Sequence, residues 1–538
     1  MPEHVPIVPW RLVNTLPADD CAGTTMPLCF PWLHRLGRVS KPVPSKLGDD
    51  ECETVQVDQA KRDATTIRYR HAADLANKVA REFELSDDDV RRITRGFVEQ
   101  MNEGLHHHGK AIEQLPSFIT HLPDGNERGT YLAVDMGGTN IRVCAVTFHG
   151  HGAYSMDQAK AAIPPTLMTT KNHRELFDWM ASIVRAFVEK NHTNWKSASL
   201  DLGFTFSHAV EQKSINSGTL IRWSKGFDVD GVVGQDVCAL LQQAFDALDL
   251  PIRVTALTND TVGTLLAQAY TAPSRRRTVL GAVFGTGTNG AYIEKVSRIT
   301  KGQVSNPDPE ATMIINTEWG NFDQGLDFLS LTKYDRAIDT ASVNPGFEMF
   351  EKQISGMYLG ELLRLALLSL FQSQGPNDFN SIPVPKSSSL YVPWSLDTSL
   401  LSHLEGDNSP KLTASAARVR DWLGVAKIEC KIVAAIKTIA RAIVRRSARL
   451  SAVALGAVLI QTGCLEHEGS REAGVCIGVD GSLIELYPGF VADIRCALRC
   501  IEQVGAAGEA RVDICIAKDG SGVGAALAAL IASKALKR

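Results

Sequence analysis

The 538-residue chain has no surplus of charge, no paired cysteine spacing and no long apolar run. A formal charge of −4 gives no ground for nucleic acid or an acidic membrane as a partner. Its 11 cysteines are odd in number and lack CxxC pairs, which excludes a disulfide framework or a regular zinc site and fits reduced thiols. The most apolar windows, Ala452–Ile460 and Val523–Ala532, fall short of the ~20 residues that cross a bilayer. The first residues, MPEHVPIVPWRLVNTLPADD, have no basic segment followed by an apolar core, and Glu3, Asp19 and Asp20 argue against a transit helix. The expectation is a soluble cytoplasmic protein. With 44% hydrophobic and 22% charged residues it is globular, and its length calls for two domains.

Residues 1–66 contain eight prolines and little periodicity, so they read as an extension with little structure of its own. Trp10, Phe30 and Trp32 make it a candidate for docking on the body or on a regulatory partner. Regular structure is expected from Ile67. Ser86 is a plausible N-cap for a helix through Met101, with Asp87, Asp88 and Asp89 at its positive end and Gly104 as C-cap. The run His106–His108 suggests a solvated turn rather than a metal site, because consecutive side chains diverge and no fourth ligand follows. Beyond it, strands (198–206, 252–257, 278–284) alternate with helices (176–190, 232–247, 260–270), the pattern of an α/β protein. Residues 429–459 read as one long helix or two.

The most informative segment is YLAVDMGGTNIRV, residues 131–143. A buried strand, Tyr131 to Val134, ends on Asp135; after Met136, Gly137, Gly138, Thr139 and Asn140 form a tight turn; a second strand carries Arg142. Bare glycine N–H groups approach phosphate closely, the aspartate is suited to Mg²⁺ through water, and the arginine neutralises phosphate oxygens. Gly478, Asp480, Gly481 and Ser482 form a weak echo of this Asp-Gly-hydroxyl theme, and Gly520, Ser521 and Gly522 open an Ala-rich helix whose N-terminus suits phosphate or ribose. Thr258-Asn259-Asp260 follows a strand and opens a helix, so Asp260 is a candidate base toward a hydroxyl. Thr286 and Asn289 lie in a second glycine-rich turn, and Glu318 and Glu351 are carboxylates suited to a polyol. Ser207, Ser224 and Lys225 are weaker signals taken singly.

In order along the chain these motifs resemble the hexokinase family of the sugar kinase, actin and Hsp70 superfamily: VDMGGTNIRV, LGFTFS with INSGTLIRWSKGF, TNDTVGT, FGTGTNGAY, INTEWG, NPGFEMFEKQISGMYLGELLR, IGVDGSLIELYPGF and KDGSGVGAAL. The resemblance runs from about Ile67 to the C-terminus. It implies two ribonuclease H-like lobes around a cleft, from an N-terminal region at 67–272 and a C-terminal region at 276–538. It implies transfer of a phosphoryl group from ATP, with Mg²⁺, to the 6-hydroxyl of a hexose. Asp260 would be the base and Lys225 would contact the hydroxyl and the moving phosphoryl group. Ser207, His208, Ser224, Asn259, Asn289, Glu318 and Glu351 would hold the sugar. Asp135 to Asn140, Arg142, Thr286, the residues 478–482 named above (a second phosphate loop) and Gly520–Gly522 (an adenosine motif) would hold the nucleotide and its metal.

Four departures bear on substrate. Ser207-His208-Ala209 stands where the family usually has Ser-Phe-Pro, and Phe347-Glu348 where it has Gln-Gln. Ser224 and Ser482 replace threonine, which keeps the hydroxyl, and Tyr487 replaces a histidine. Loss of the proline is expected to loosen the sugar loop, and Glu348 to add a third carboxylate beside Glu318 and Glu351. The alternatives to a glucose-type kinase are a kinase for a 2-substituted sugar such as N-acetylglucosamine, and a non-catalytic sugar sensor.

Overall fold

The alternating pattern becomes two six-stranded mixed sheets of the same internal order. The computed structural model describes the main chain of residues 8–14, and residues 71–191, 199–223, 226–272, 276–302, 308, 310–374, 376–466 and 474–536. The first sheet runs Val8–Asn14, Ala153–Ala162, Asn140–Gly150, Arg128–Met136, Leu200–Phe206, Ile252–Thr258. The second runs Val512–Ile516, Val475–Asp480, Arg277–Phe284, Thr288–Lys295, Thr312–Asn316, Leu115–Pro116. In each, three antiparallel strands are followed in sequence by two that extend the sheet in parallel from the first. This repeated order is the two-lobed α/β architecture.

The repeat corrects the internal echo. The counterpart of the turn after Met136, between first and second strands, is Gly285–Gly287 between Phe284 and Thr288. Asp480-Gly481-Ser482 instead ends the fourth strand, where the first sheet has Phe206-Ser207-His208. Local composition resembled the hairpin, but strand order decides which loops are equivalent.

Local signals set several boundaries. Ser86 caps Asp87–His106, and its hydroxyl and the Asp89 carboxylate satisfy each other's backbone N–H groups. Gly104 is not the C-cap: the helix runs on to His106 and His107 caps it, while a Cβ at 104 would strike the carbonyl oxygen of Ile112. Close packing, not a turn, requires that glycine. Asp236 caps Val237–Ala247, later than the expected start at 232. Cys430–Thr462 is one unbroken helix. In the extension, Val8–Asn14 pairs antiparallel with Ala153–Ala162, so this stretch has structure where none was expected; Phe30 and Trp32 lie outside the described residues.

Both chain ends cross between lobes. The helical residues from 71 to 82, the turn after them and the helix Asp87–His106 bury Ala76, Phe83, Phe97 and Met101 in the core of the second sheet and the long helix. The last helix, Gly520–Leu536, packs on the first sheet and on the helix Asp260–Thr271, in a core that includes Ala133, Ala256, Leu265 and Leu527. These two helices follow the fifth strand of each sheet and lie between the sheets. They cross backbone to backbone: a Cβ on Gly524 would overlap Gly263, and one on Gly263 would sit 3.0 Å from the Gly520 carbonyl oxygen.

Gly524→Ala is expected to cost about 2 kcal/mol or more in denaturant unfolding of the full chain. Gly406→Ala, whose added carbon meets only Pro488 at 3.8 Å, should stay within about 0.5 kcal/mol of the parent.

Candidate active site

The helix crossing brings two helix N-termini to one place. Asp260 opens one helix and Gly520 the other, and a Cβ on Gly520 would lie 2.7 Å from the Thr264 hydroxyl. Both positive helix ends therefore face the region between the sheets, a favourable setting for phosphate. The first hairpin is bound to this point by two side-chain contacts. Ser521 Oγ donates to Asp135 Oδ2 at 2.7 Å, and Arg142 Nη1 meets Asp519 Oδ1 at 3.0 Å. Burial opposes the charge on Arg142, but Asp135 foremost, then Asp519 and Asp480, outweigh it and raise its pKa.

From the second sheet, Gly481 holds φ +116°, and a Cβ there would lie 2.5 Å from the Phe284 carbonyl. Only glycine allows the loop after the fourth strand to lie directly on the Gly285 turn. Burial pushes Asp480 up to about 6, with Glu485 and Asp260 adding to the shift and the Gly481 N–H and Arg142 opposing it. Asp480, on the second sheet, therefore feels both Asp260 and Arg142 from the first.

The neighbouring polar cluster is built on amides. Asn259 is the N-cap of its helix; its side-chain oxygen accepts from Val262 N at 2.9 Å and Thr261 Oγ1 at 3.1 Å. One Asp260 oxygen accepts from Thr261 N at 2.9 Å, and its carboxylate stays partly exposed. Asn289 Nδ2 donates to Asn316 Oδ1 at 2.9 Å and reaches Glu318 Oε1 at 3.3 Å, while Asn316 Nδ2 donates to the same Glu318 oxygen at 2.7 Å. Glu318 itself has φ +55°, a costly left-handed backbone that aims its carboxylate at the cluster. Burial pushes Glu318 up to about 7; the Asn316 bond opposes this, Glu113 and Asp260 add to it, and Arg222 counters. Glu351 accepts from Thr288 N at 2.9 Å and fills the space beside Gly287, where a Cβ would lie 2.7 Å from its Oε2.

Asp260 thus lies within electrostatic reach of the buried Glu318 on one side and of Asp480 on the other. The hexokinase profile for the N-terminal region matches residues 75–270, and that for the C-terminal region matches 279–531. The chain is 45% identical to a glucokinase of Aspergillus niger over 86% of its length and 97% of that protein's. It is 42% identical to glucokinase-1 of Saccharomyces cerevisiae, over 85% and 96%. A solved hexokinase from Schistosoma mansoni, complexed with glucose, superposes with a TM-score of 0.72 at 33% identity, covering 86% of this chain and 99% of that one.

The chain belongs to the hexokinase family.

Within this hexokinase the structure brings together Asp135, Arg142, Asp480 and Ser521 as one group, and Asn259, Asp260, Asn289 and Glu318 as a second. Met136 is buried, and Gly137 N donates to the Asn140 carbonyl at 3.0 Å, closing the turn. The Asn140 side chain donates to Thr139 Oγ1 at 2.7 Å. Ser207 is half-buried at the end of its strand. Ser224 and Lys225 lie outside the described residues. Among the described neighbours, Trp223 Nε1 donates to Val229 O at 3.1 Å and Trp223 stacks on Phe227.

His208 lines a small cavity together with Thr258, Asn259 and Asn316. Its ring is 5% exposed and packed by Phe206, Trp223 and Phe227 at centroid distances of 4.9, 5.0 and 5.3 Å. These rings pack the chain around His208, beside the position where the family's proline is missing. Glu348 takes φ +55° and its carboxylate accepts from Asn344 at 2.6 Å, while Phe347 is exposed. Glu113 escaped the sequence analysis, and Asn316, Arg222 and Asp519 stood in its motifs without an assigned role. Asn316 had a signal, standing two residues before Glu318; the ion pair of Arg222 and Glu113, 3.2 Å apart, joins residues 109 positions apart and had none.

A carboxyl raised in the folded state binds more protons folded than unfolded between its two pKa values, so stability falls as pH rises through that window. Glu318 and Asp480 both have this sign. The sugar-free enzyme should therefore melt at lower temperature at pH 8 than at pH 5.5 in part because of them, and Glu318→Gln should flatten that slope in melts across the range.

Proposed function

We propose that this hexokinase transfers the γ-phosphoryl group of ATP to the 6-hydroxyl of glucose, with Asp260 as the base. The chain is an ATP-dependent hexose kinase, as its family and its relatives at 38–45% identity establish. The observation that carries the role of Asp260 is its position between Glu318 and Asp480, each of whose ionisation it perturbs. Glucose as the preferred sugar is supported by the two glucokinases named above. That similarity favours a glucose-type kinase over an N-acetylglucosamine kinase or a non-catalytic sensor.

Phosphoryl transfer passes through a loose transition state, so catalysis is positioning and charge neutralisation. Glu318, Asn289, Asn316 and Asn259 present acceptors and donors that fit sugar hydroxyls, and Glu351 stands behind the Gly287 turn. Asp260 takes the proton of the attacking hydroxyl late, when the oxygen is already bonding to phosphorus. A carboxylate is a sufficient base for that late transfer. Arg142 and the two helix N-termini stabilise negative charge on the phosphates, and Lys225 is assigned to the moving group. The oxygen donors at Asp135 suit a hard cation, and Mg²⁺ bound with ATP would neutralise phosphate charge there through water. The crossed helices lie between the two sheets, which suits closure that excludes water as a competing acceptor.

Asp260→Ala should lower kcat by about 10²-fold or more while hexose binding changes little, since the loss is of proton transfer. A coupled ADP-release assay over glucose, mannose, fructose and N-acetylglucosamine checks both claims. Sugar-dependent release that survives in the variant removes Asp260 from the mechanism, and faster turnover of N-acetylglucosamine than of glucose overturns the substrate assignment.

A further inference from the structure

Two thiols outside the active site stand close together where the second sheet meets it. Cys476 and Cys515 lie on the adjacent parallel strands Val475–Asp480 and Val512–Ile516, and their sulfurs are 3.2 Å apart. Cys476 is buried and Cys515 half-buried, so one sulfur is sheltered and its partner is reachable. Gln268 Nε2 donates to Cys476 Sγ at 3.2 Å from the helix that begins with Asp260. Arg276 pairs with Asp513 at the rim, and Arg276 and Arg495 both favour negative charge on Cys515. The contact from Cys476 foremost, then these arginines, hold Cys515 below the usual thiol pKa, while Cys476 is raised. A partly exposed, cation-flanked thiol with a sheltered neighbour is the arrangement in which a first thiolate is oxidised and a second resolves it.

The two strands matter for what they lead to. Val475–Asp480 runs into Asp480-Gly481-Ser482, and Val512–Ile516 runs into Asp519 and Ser521. Cys476 faces Asp513 in the register and Cys515 faces Gly478, an offset of two residues. A disulfide needs its sulfurs about 2.05 Å apart. Closing the diagonal would therefore draw one strand along the other and move the ends that carry both loops.

We propose that Cys476 and Cys515 are a thiol modification site, joined as a disulfide by hydrogen peroxide, and that the bond weakens the grip on ATP. The Cys515 thiolate attacks one peroxide oxygen: an S–O bond forms, the O–O bond breaks, and the departing hydroxide takes a proton to become water. Cys476 sulfur then attacks the sulfenic sulfur; the S–S bond forms, the S–O bond breaks, and hydroxide leaves as a second water with the Cys476 proton. Peroxide is reduced by two electrons and two thiols become one disulfide. The consequence for ATP rests on the nucleotide role proposed for Asp480–Ser482 and Ser521, whereas the bond itself does not.

The full-length enzyme, first assayed reduced to establish hexose-dependent ADP release, is treated with peroxide, alkylated and digested. A peptide linking Cys476 to Cys515 is expected, together with a rise in KM for ATP of about fivefold or more, the lower end of couplings between separate sites. KM for hexose should be little changed, dithiothreitol should reverse the effect, and Cys515→Ser and Cys476→Ser should each abolish the linked peptide and the rise. Independent alkylation of both thiols, sulfinic acid at Cys515 with Cys476 free, the same ATP effect in the serine variants, or a linked peptide without a change in KM for ATP overturns the proposal. An inactive reduced enzyme would instead count against the kinase assignment, leaving the linked-peptide result to be judged alone.

Discussion

Backbone contact between Gly263 and Gly524 is the constraint on which the site depends. Two helices, each following the fifth strand of its sheet, cross there without side chains between them. The crossing also leans on Gly203, where a Cβ would overlap Ala525, and on Gly281, where one would overlap Leu265. Each helix is thereby pressed against a sheet on one side and its counterpart on the other. Any side chain at the crossing would separate the helices by an ångström or more, and with them the N-termini that carry Asp260 and Ser521. Interiors packed at crystal-like density transmit such a displacement rather than absorb it.

Around that fixed point charge is arranged by partial desolvation. Arg142 pairs with Asp519 and also feels Asp135 and Asp480, so this cation is held among carboxylates that lie far apart along the chain. Glu318 is the opposite case: burial beside Glu113 and Asp260 makes its ionised form costly, and amide donors from Asn316 and Asn289 offset part of that cost. Sugar hydroxyls are further donors of the same kind, so such a carboxylate gains from binding them. A partly desolvated site of this sort is poised for a polar ligand and favours its entry over water's.

Much of this was legible along the chain. The family motifs and the helix caps at Ser86 and Asn259 follow from residue type and spacing, because each depends on neighbours within a few positions. Gly104 was misread since a glycine after a helix and a glycine under a crossing segment look alike in sequence. Asp480-Gly481-Ser482 was matched to the wrong loop because composition carries no information about strand order. The ion pair of Arg222 and Glu113, and the placing of Arg142 among three carboxylates, join distant positions and left no local mark.

By itself the sequence determined the α/β class and the family, since glycine turns and helix caps act through short-range geometry. Only the tertiary structure decided which loops are equivalent, that both chain ends cross between lobes, that His208 belongs to a ring of aromatic side chains, and that Cys476 meets Cys515. Those facts depend on which strands lie side by side and which helices cross, and sheet order is fixed by packing of the whole chain rather than by any segment of it.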